Sequence, residues 1–342
     1  MGMDTQVDDI GSFPLPSVLS RDSFNSAYRM AREGFARGKN PRDDQFVLEN
    51  FCDVTIDAFK QKCQSGLDVV NYPQQYDGIR QLSDIIHAAM EHGSFIVEDK
   101  TAILPEVFLI KEEAKRLSEE LGQKIRLRVS LFGPMEQYLK EMGTVVYEDV
   151  LMQYAETVRR FAKNSVLNLK HVQTEVVSID EPSFGFLDLG TSKETIVGVL
   201  EKAFDVKDVV RQIHLHSSSR VADILRVKNI DVLSFEYAAS PKNVEAVTYK
   251  MLEIVDKQVR VGIARTDIDS ILAELNAAGV SHPTSEQLVE DEDTISQRFK
   301  MLKERFGERL SFTGPDCGLG SWPSQEAASL LLARSVRAVR KT

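Results

Sequence analysis

With 342 residues the chain is the size of one large α/β barrel or of two ordinary domains. A formal net charge of −10 with no sustained Lys/Arg stripe argues against a nucleic-acid binder, which needs a basic face. No apolar run reaches the ~18 residues of a membrane span, and Met1-Gly2-Met3-Asp4-Thr5-Gln6-Val7 lacks the basic start and apolar stretch of a secretion signal, so a soluble cytoplasmic protein without membrane partners is expected. The cysteines Cys52, Cys63 and Cys317 are odd in number and widely spaced, which fits a reducing compartment rather than a disulfide framework.

In chain order, short β-rich runs predict strands at 7–10, 69–71, 125–129, 176–180, 212–215, 232–236, 259–263 and 310–313. Amphipathic helical patterns separate them, for example at 46–64, 150–163, 193–204, 244–255 and 294–306. Eight strands alternating with helices predict a (β/α)8 TIM barrel, and a doubly wound sheet is the structural alternative. No linker or low-complexity segment splits the chain, so 1–342 is expected to be a single domain with insertions over the barrel mouth. The arginine-rich stretch 21–44 reads as an excursion between the first strand and its helix. The segment 81–115 is long enough for an extra hairpin or helix.

In such a barrel the reactive residues sit at the C-terminal ends of the strands, whose loops form the active-site face. Ser12 follows the first strand, Gln74 and Tyr76 the second, and Asp180 and Glu181 end the fourth. His214 and His216 end the fifth strand, Glu236 ends the sixth, Asp267 and Asp269 follow the seventh, and Cys317 follows the eighth. Nitrogen, carboxylate and sulfur donors therefore gather on neighbouring strand ends, as a zinc ion requires. His214 and His216 are two apart, so on an extended strand they face the same side. Singly, each has a blander reading: a structural strand-end histidine, a salt-bridged Glu236, a buried thiol. Tyr72, Tyr76, Phe184, Phe186 and Trp322 could line a cofactor mouth or simply pack.

These residues resemble the catalytic C-terminal barrel of the cobalamin-independent methionine synthase family, in particular its short core form. The resemblance rests on Ile10-Gly11-Ser12-Phe13-Pro14, Gly66-Leu67-Asp68-Val69-Val70, Ile179-Asp180-Glu181-Pro182, Ile213-His214-Leu215-His216, Glu236 and Pro315-Asp316-Cys317-Gly318-Leu319. It implies a zinc ion held by His214, Glu236 and Cys317, a homocysteine substrate, and methionine as product. It also places Ile10, Gly11, Ser12, Gln74, Asp180 and Glu181 in the substrate-binding set. His216 stands where the family usually has a second zinc cysteine, and is either the fourth ligand or a bystander. As a ligand it would leave Glu236 and Cys317 as the only anionic donors, making the ion a stronger Lewis acid and a bound thiolate less nucleophilic.

Two further departures bear on the chemistry. Gln74 replaces a glutamate of the full-length enzymes, which relaxes the demand for an amino-acid substrate and leaves another thiol, such as coenzyme M, as an alternative. Asp267, with Asp269 beside it, stands where those enzymes carry a histidine for proton delivery. Asp267 could serve there only with a raised pKa, or if the leaving group needs no proton. The second condition points to a methylcorrinoid donor, free or on a corrinoid carrier protein, ahead of methyltetrahydrofolate. A non-catalytic binding barrel is the reading from a different class, motivated by His216 and Asp267.

Overall fold

A computed structural model describes residues 4–342. All eight expected strands form: β1 (Gln6–Val7), β2 (Val70–Asn71), β3 (Ile125–Phe132), β4 (Val172–Asp180), β5 (Val210–Leu215), β6 (Val232–Phe235), β7 (Gln258–Ala264) and β8 (Leu310–Pro315). They pair in parallel in the order β1-β8-β7-β6-β5-β4-β3-β2. The two ends of that series meet through a parallel bridge between Asp8 and Val69, and Asp68 N–H donates to Val7 O at 2.8 Å. The sheet thus closes on itself, which settles the choice in favour of the (β/α)8 barrel over the doubly wound sheet. Among the described residues no helix is long and apolar enough to cross a membrane.

The barrel interior is filled in layers by side chains from alternate strands. Val69, Val176, Val232 and Phe312, on or beside the even strands, form an apolar plug at the N-terminal end. The next layer, from the odd strands, is polar: Asp8, Arg128, Gln212 and Arg260, each 0% exposed. Arg128 Nη1 donates to Asp8 Oδ2 at 2.7 Å and to Gln212 Oε1, and Arg260 Nε donates to Asp8 Oδ1 at 2.8 Å. Gly314 leaves space for this layer, since a Cβ there would lie 2.0 Å from Asp8 O. Asp8 bridges both guanidinium groups, so one carboxylate partly offsets two buried positive charges in this floor.

Local chemistry explains where the elements depart from expectation. β1 ends at Val7, and Asp9, facing away from the barrel interior, accepts Asn71 N–H at 2.9 Å and pairs with Lys62 Nζ of the helix Asp53–Gln64 at 2.7 Å. Gly11 then turns the chain with φ of +59°, a conformation that favours glycine. The predicted helix at 244–255 is two pieces, Lys242–Glu245 and Tyr249–Val255. Thr248 interrupts it in an extended conformation and accepts Met251 N–H at 3.2 Å as an N-cap. The stretch 21–44 holds the helix Arg21–Ala36, and the segment expected at 81–115 to hold a hairpin or helix forms helices, Arg80–Met90 and the start of Pro105–Leu121.

Candidate metal centre

His214, at the end of β5, and His216, Glu236 and Cys317, just past the ends of β5, β6 and β8, bring one ligand atom each to within 4.8 Å of one another. Cys317 Sγ lies 3.4 Å from His216 Nε2, which is 3.6 Å from Glu236 Oε1. Zinc bond lengths of about 2.0–2.3 Å give tetrahedral edges of roughly 3.3–3.6 Å, so both spacings suit one ion. The longest separations exceed such an edge by about 1 Å, a distance that side-chain rotation covers. His214 Nδ1 contacts Ser234 Oγ at 3.1 Å, and its Nε2 is buried with no partner. With Nδ1 donating to the hydroxyl, Nε2 presents a lone pair to the cluster, the usual way a ligand histidine is oriented.

The electrostatics of the cluster suit a cation. Burial pushes the Glu236 carboxyl up to about 8, with Asp316 and Asp267 adding repulsion. Burial likewise raises the Cys317 thiol to about 12, reinforced by Glu236. Burial drives His214 well below the ordinary imidazole range, with His216 next in effect, and lowers His216 as well. Both imidazoles are therefore neutral, and the two acids keep their protons until a positive charge joins them. A dication beside one carboxylate, one thiolate and two neutral imidazoles is charge-balanced.

His214, His216 and Cys317 line a cavity of about 570 Å³ that also takes in Ile10, Gly11, Ser12, Gln74, Phe132 and Asp180. Asp180 Oδ1 accepts from Ser178 Oγ at 2.7 Å. Burial raises its carboxyl to about 6, with Arg128 opposing, which leaves it ionised at neutral pH. Ser12 is fixed by Gly320 N–H, which donates to its Oγ at 3.0 Å, and by Leu319 N–H, which donates to its carbonyl at 2.7 Å. Gly318 and Gly320 are required there, because a Cβ on either would meet Ser12 Oγ at 2.6 or 2.7 Å. Gln74 adopts φ of +46° and folds over Gly11, where a Cβ would lie 2.5 Å from its Oε1.

Three of the expected site residues point elsewhere. Glu181 is 0% exposed and accepts the N–H groups of Met135 and Glu136 at 3.0 and 2.7 Å, capping the helix Pro134–Met142 instead of lining the cavity. Asp267 is gripped by Arg265 through Nε at 3.0 Å and Nη2 at 2.8 Å. Burial raises its carboxyl, yet the Arg265 hydrogen bonds and charge outweigh that and leave it below the usual range, opposite to what proton delivery needs. Asp269 is exposed in the first turn of the helix Ile268–Ala277. Of the five aromatics considered, Tyr76 lines the cavity, while Trp322 is buried with its Nε1–H donating to Thr266 O at 3.1 Å.

Sequence reasoning missed the groups behind the site. Asp316 accepts the N–H groups of Tyr237, Ala238 and Ala239 at 3.1, 3.0 and 2.7 Å, locking the chain after Glu236 onto the chain before Cys317. Its place beside Cys317 was the available signal. Ser234 could have been found by parity, two residues before Glu236 on the inward face of β6.

Two curated methionine synthases match the chain in sequence. One, from Methanothermobacter marburgensis, is 27% identical over 186 residues, which is 54% of this chain and 52% of that protein. The other, from Methanothermobacter thermautotrophicus, is 28% identical over 292 residues, or 80% of this chain and 84% of that protein. The chain is related in sequence to methionine synthases. The first alignment spans only about half the length of its relative, whereas the second runs through most of both chains. Among solved structures, a B12-independent methionine synthase from Shewanella sp. W3-18-1 in complex with selenomethionine superposes with a TM-score of 0.62 at 14% identity, covering 99% of this chain and 98% of that one. At that identity the likeness establishes the shared barrel fold. No protein-family model matches the chain. The family resemblance carried by the strand-end motifs is thus borne out by these relatives.

Proposed function

We propose that the protein is a zinc-dependent S-methyltransferase that converts homocysteine to methionine. The observation that carries this reading is the convergence of His214, His216, Glu236 and Cys317 beside a cavity walled by Gly11, Ser12 and Asp180. The sequence relationship to methionine synthases supports it. When bound by those four residues, zinc would supply a Lewis acid that favours the thiolate form of a substrate sulfur.

The remaining work falls to the chain itself. Asp180, ionised at neutral pH and buried at the cavity wall, receives the substrate ammonium. The Gly11-Ser12 turn, held rigid by Leu319 and Gly320, offers hydrogen bonds to the substrate carboxylate. Gripping both ends of the amino-acid part aims the sulfur at the cluster and fixes its approach to the donor methyl. The cavity is large enough to admit part of a methyl donor from the open side, where Arg21, Asp77 and Arg80 stand.

For the donor we favour a methylcorrinoid, free or on a carrier protein, over methyltetrahydrofolate. A folate amine leaves poorly without a proton, and Arg265 keeps Asp267 as a carboxylate. The test is methionine formation by the zinc-loaded protein with methylcobalamin or methyltetrahydrofolate, against a panel of homocysteine, coenzyme M and other small thiols. Homocysteine-dependent turnover is expected. No turnover with homocysteine from either donor contradicts the proposal, and turnover confined to another thiol moves the substrate assignment.

A further inference from the structure

We propose that Asn243 is a positioning residue for the metal centre, setting the separation of two of its ligands through their own backbone carbonyls. This rests on the metal reading above and assigns a role to a residue outside the cluster. The parallel ladder between β5 and β6 ends at the pair Leu215 and Phe235. His216 and Glu236 are the next residues on each strand, where the two chains part to form separate loops. Past the last rung no backbone hydrogen bond joins them, and their side chains must nevertheless stay 3.6 Å apart to share an ion.

The Asn243 amide supplies the missing rung. Its Nδ2 donates to His216 O at 2.9 Å and to Glu236 O at 3.0 Å, so one amide nitrogen spans the carbonyls of both ligand residues. Its Oδ1 accepts from Ser218 N–H at 3.0 Å and from Ser218 Oγ at 3.3 Å, which pins the loop beyond His216 to the same group. The side chain is buried, with 7% of the residue exposed, so water does not substitute readily for any of these bonds. The geometry is specific to an amide. Two donor hydrogens meet two carbonyls while the oxygen meets an N–H, and neither a carboxylate nor a hydroxyl matches that pattern.

A residue that merely staples two loops would lower stability when replaced and leave the folded site unchanged. A residue that sets ligand spacing changes how the folded site holds its metal, as groups supporting metal ligands generally do. Asn243→Asp keeps the shape and the acceptor for Ser218 but turns the shared donor into an acceptor facing two carbonyls. Its zinc affinity, measured by competition with a chromophoric chelator, is expected to fall by about 10- to 100-fold. The visible d–d bands of its cobalt(II) form are expected to shift relative to wild type.

Asn243→Ala supplies the same comparison if the aspartate variant does not fold. Ser218→Ala, which keeps both carbonyl bonds, should retain the wild-type spectrum. Folded Asn243 variants with wild-type zinc affinity and an unchanged cobalt spectrum overturn the inference. A wild-type protein that takes up neither zinc nor cobalt overturns the metal reading itself, and this inference with it.

Discussion

Asp8→Asn tests whether the charged layer under the site is built as the structure has it. Asp8 bridges Arg128 and Arg260 at 2.7 and 2.8 Å, and all three side chains are 0% exposed. The amide keeps the shape, but it removes the one negative charge between two buried guanidinium groups and turns one of its ends toward an arginine as a donor. Removing one partner of a buried pair costs about 3–5 kcal/mol. For 342 residues at about 2.1 cal/mol/K each, the unfolding entropy is about 0.7 kcal/mol/K, so a loss of about 4 kcal/mol lowers Tm by roughly 5–6 °C. Calorimetry on the metal-free protein isolates this effect from metal linkage. Replacing Arg260 by Met in the Asp8→Asn background should recover part of the loss, since the two groups interact directly. A fall in Tm below about 1 °C would refute the reasoning.

Glu106 is fully buried, and burial raises its carboxyl from 4.5 to about 7, so wild-type stability falls as pH rises from the unfolded value to the folded one and is level above it. Relative to wild type, Glu106→Gln should therefore gain stability between about pH 4.5 and 7, up to roughly 3 kcal/mol; a difference that is flat or falls across that window in urea titrations contradicts this. At Gly262 an added Cβ would lie 2.0 Å from Asp316 Oδ1 and 2.5 Å from its Cα, so Gly262→Ala should displace the Cys317 segment and weaken zinc binding at least ~10-fold, as chelator competition would reveal. Asp180→Asn should raise KM for homocysteine more than it lowers kcat, because it removes the ammonium partner; an unchanged KM would move the substrate's amino group elsewhere.

Much of this was legible because barrel strands are short, β-branched and buried on both faces, so each appears as an interruption of the helical pattern. The period of two put His214 and His216 on one face, and the ligand cluster follows from that. The same period, applied more strictly, would have removed Glu181: adjacent to Asp180 on an extended strand, it must face the opposite side, and there it caps a helix. Asp267 was misread because its loop position was visible while the grip of Arg265, two residues earlier, depends on side-chain direction. Asn243 was out of reach altogether, since its partners are carbonyls of residues on two different loops.

The central claim is a one-sulfur metal centre that accepts a substrate thiol. Zinc X-ray absorption on the loaded protein tests it most directly. With the protein alone, one sulfur at about 2.3 Å and three nitrogen or oxygen neighbours at about 2.0–2.2 Å are predicted. Adding homocysteine should raise the sulfur count to two, its thiolate replacing one nitrogen or oxygen neighbour. A zinc environment without sulfur, or one that homocysteine leaves unchanged, would contradict the account.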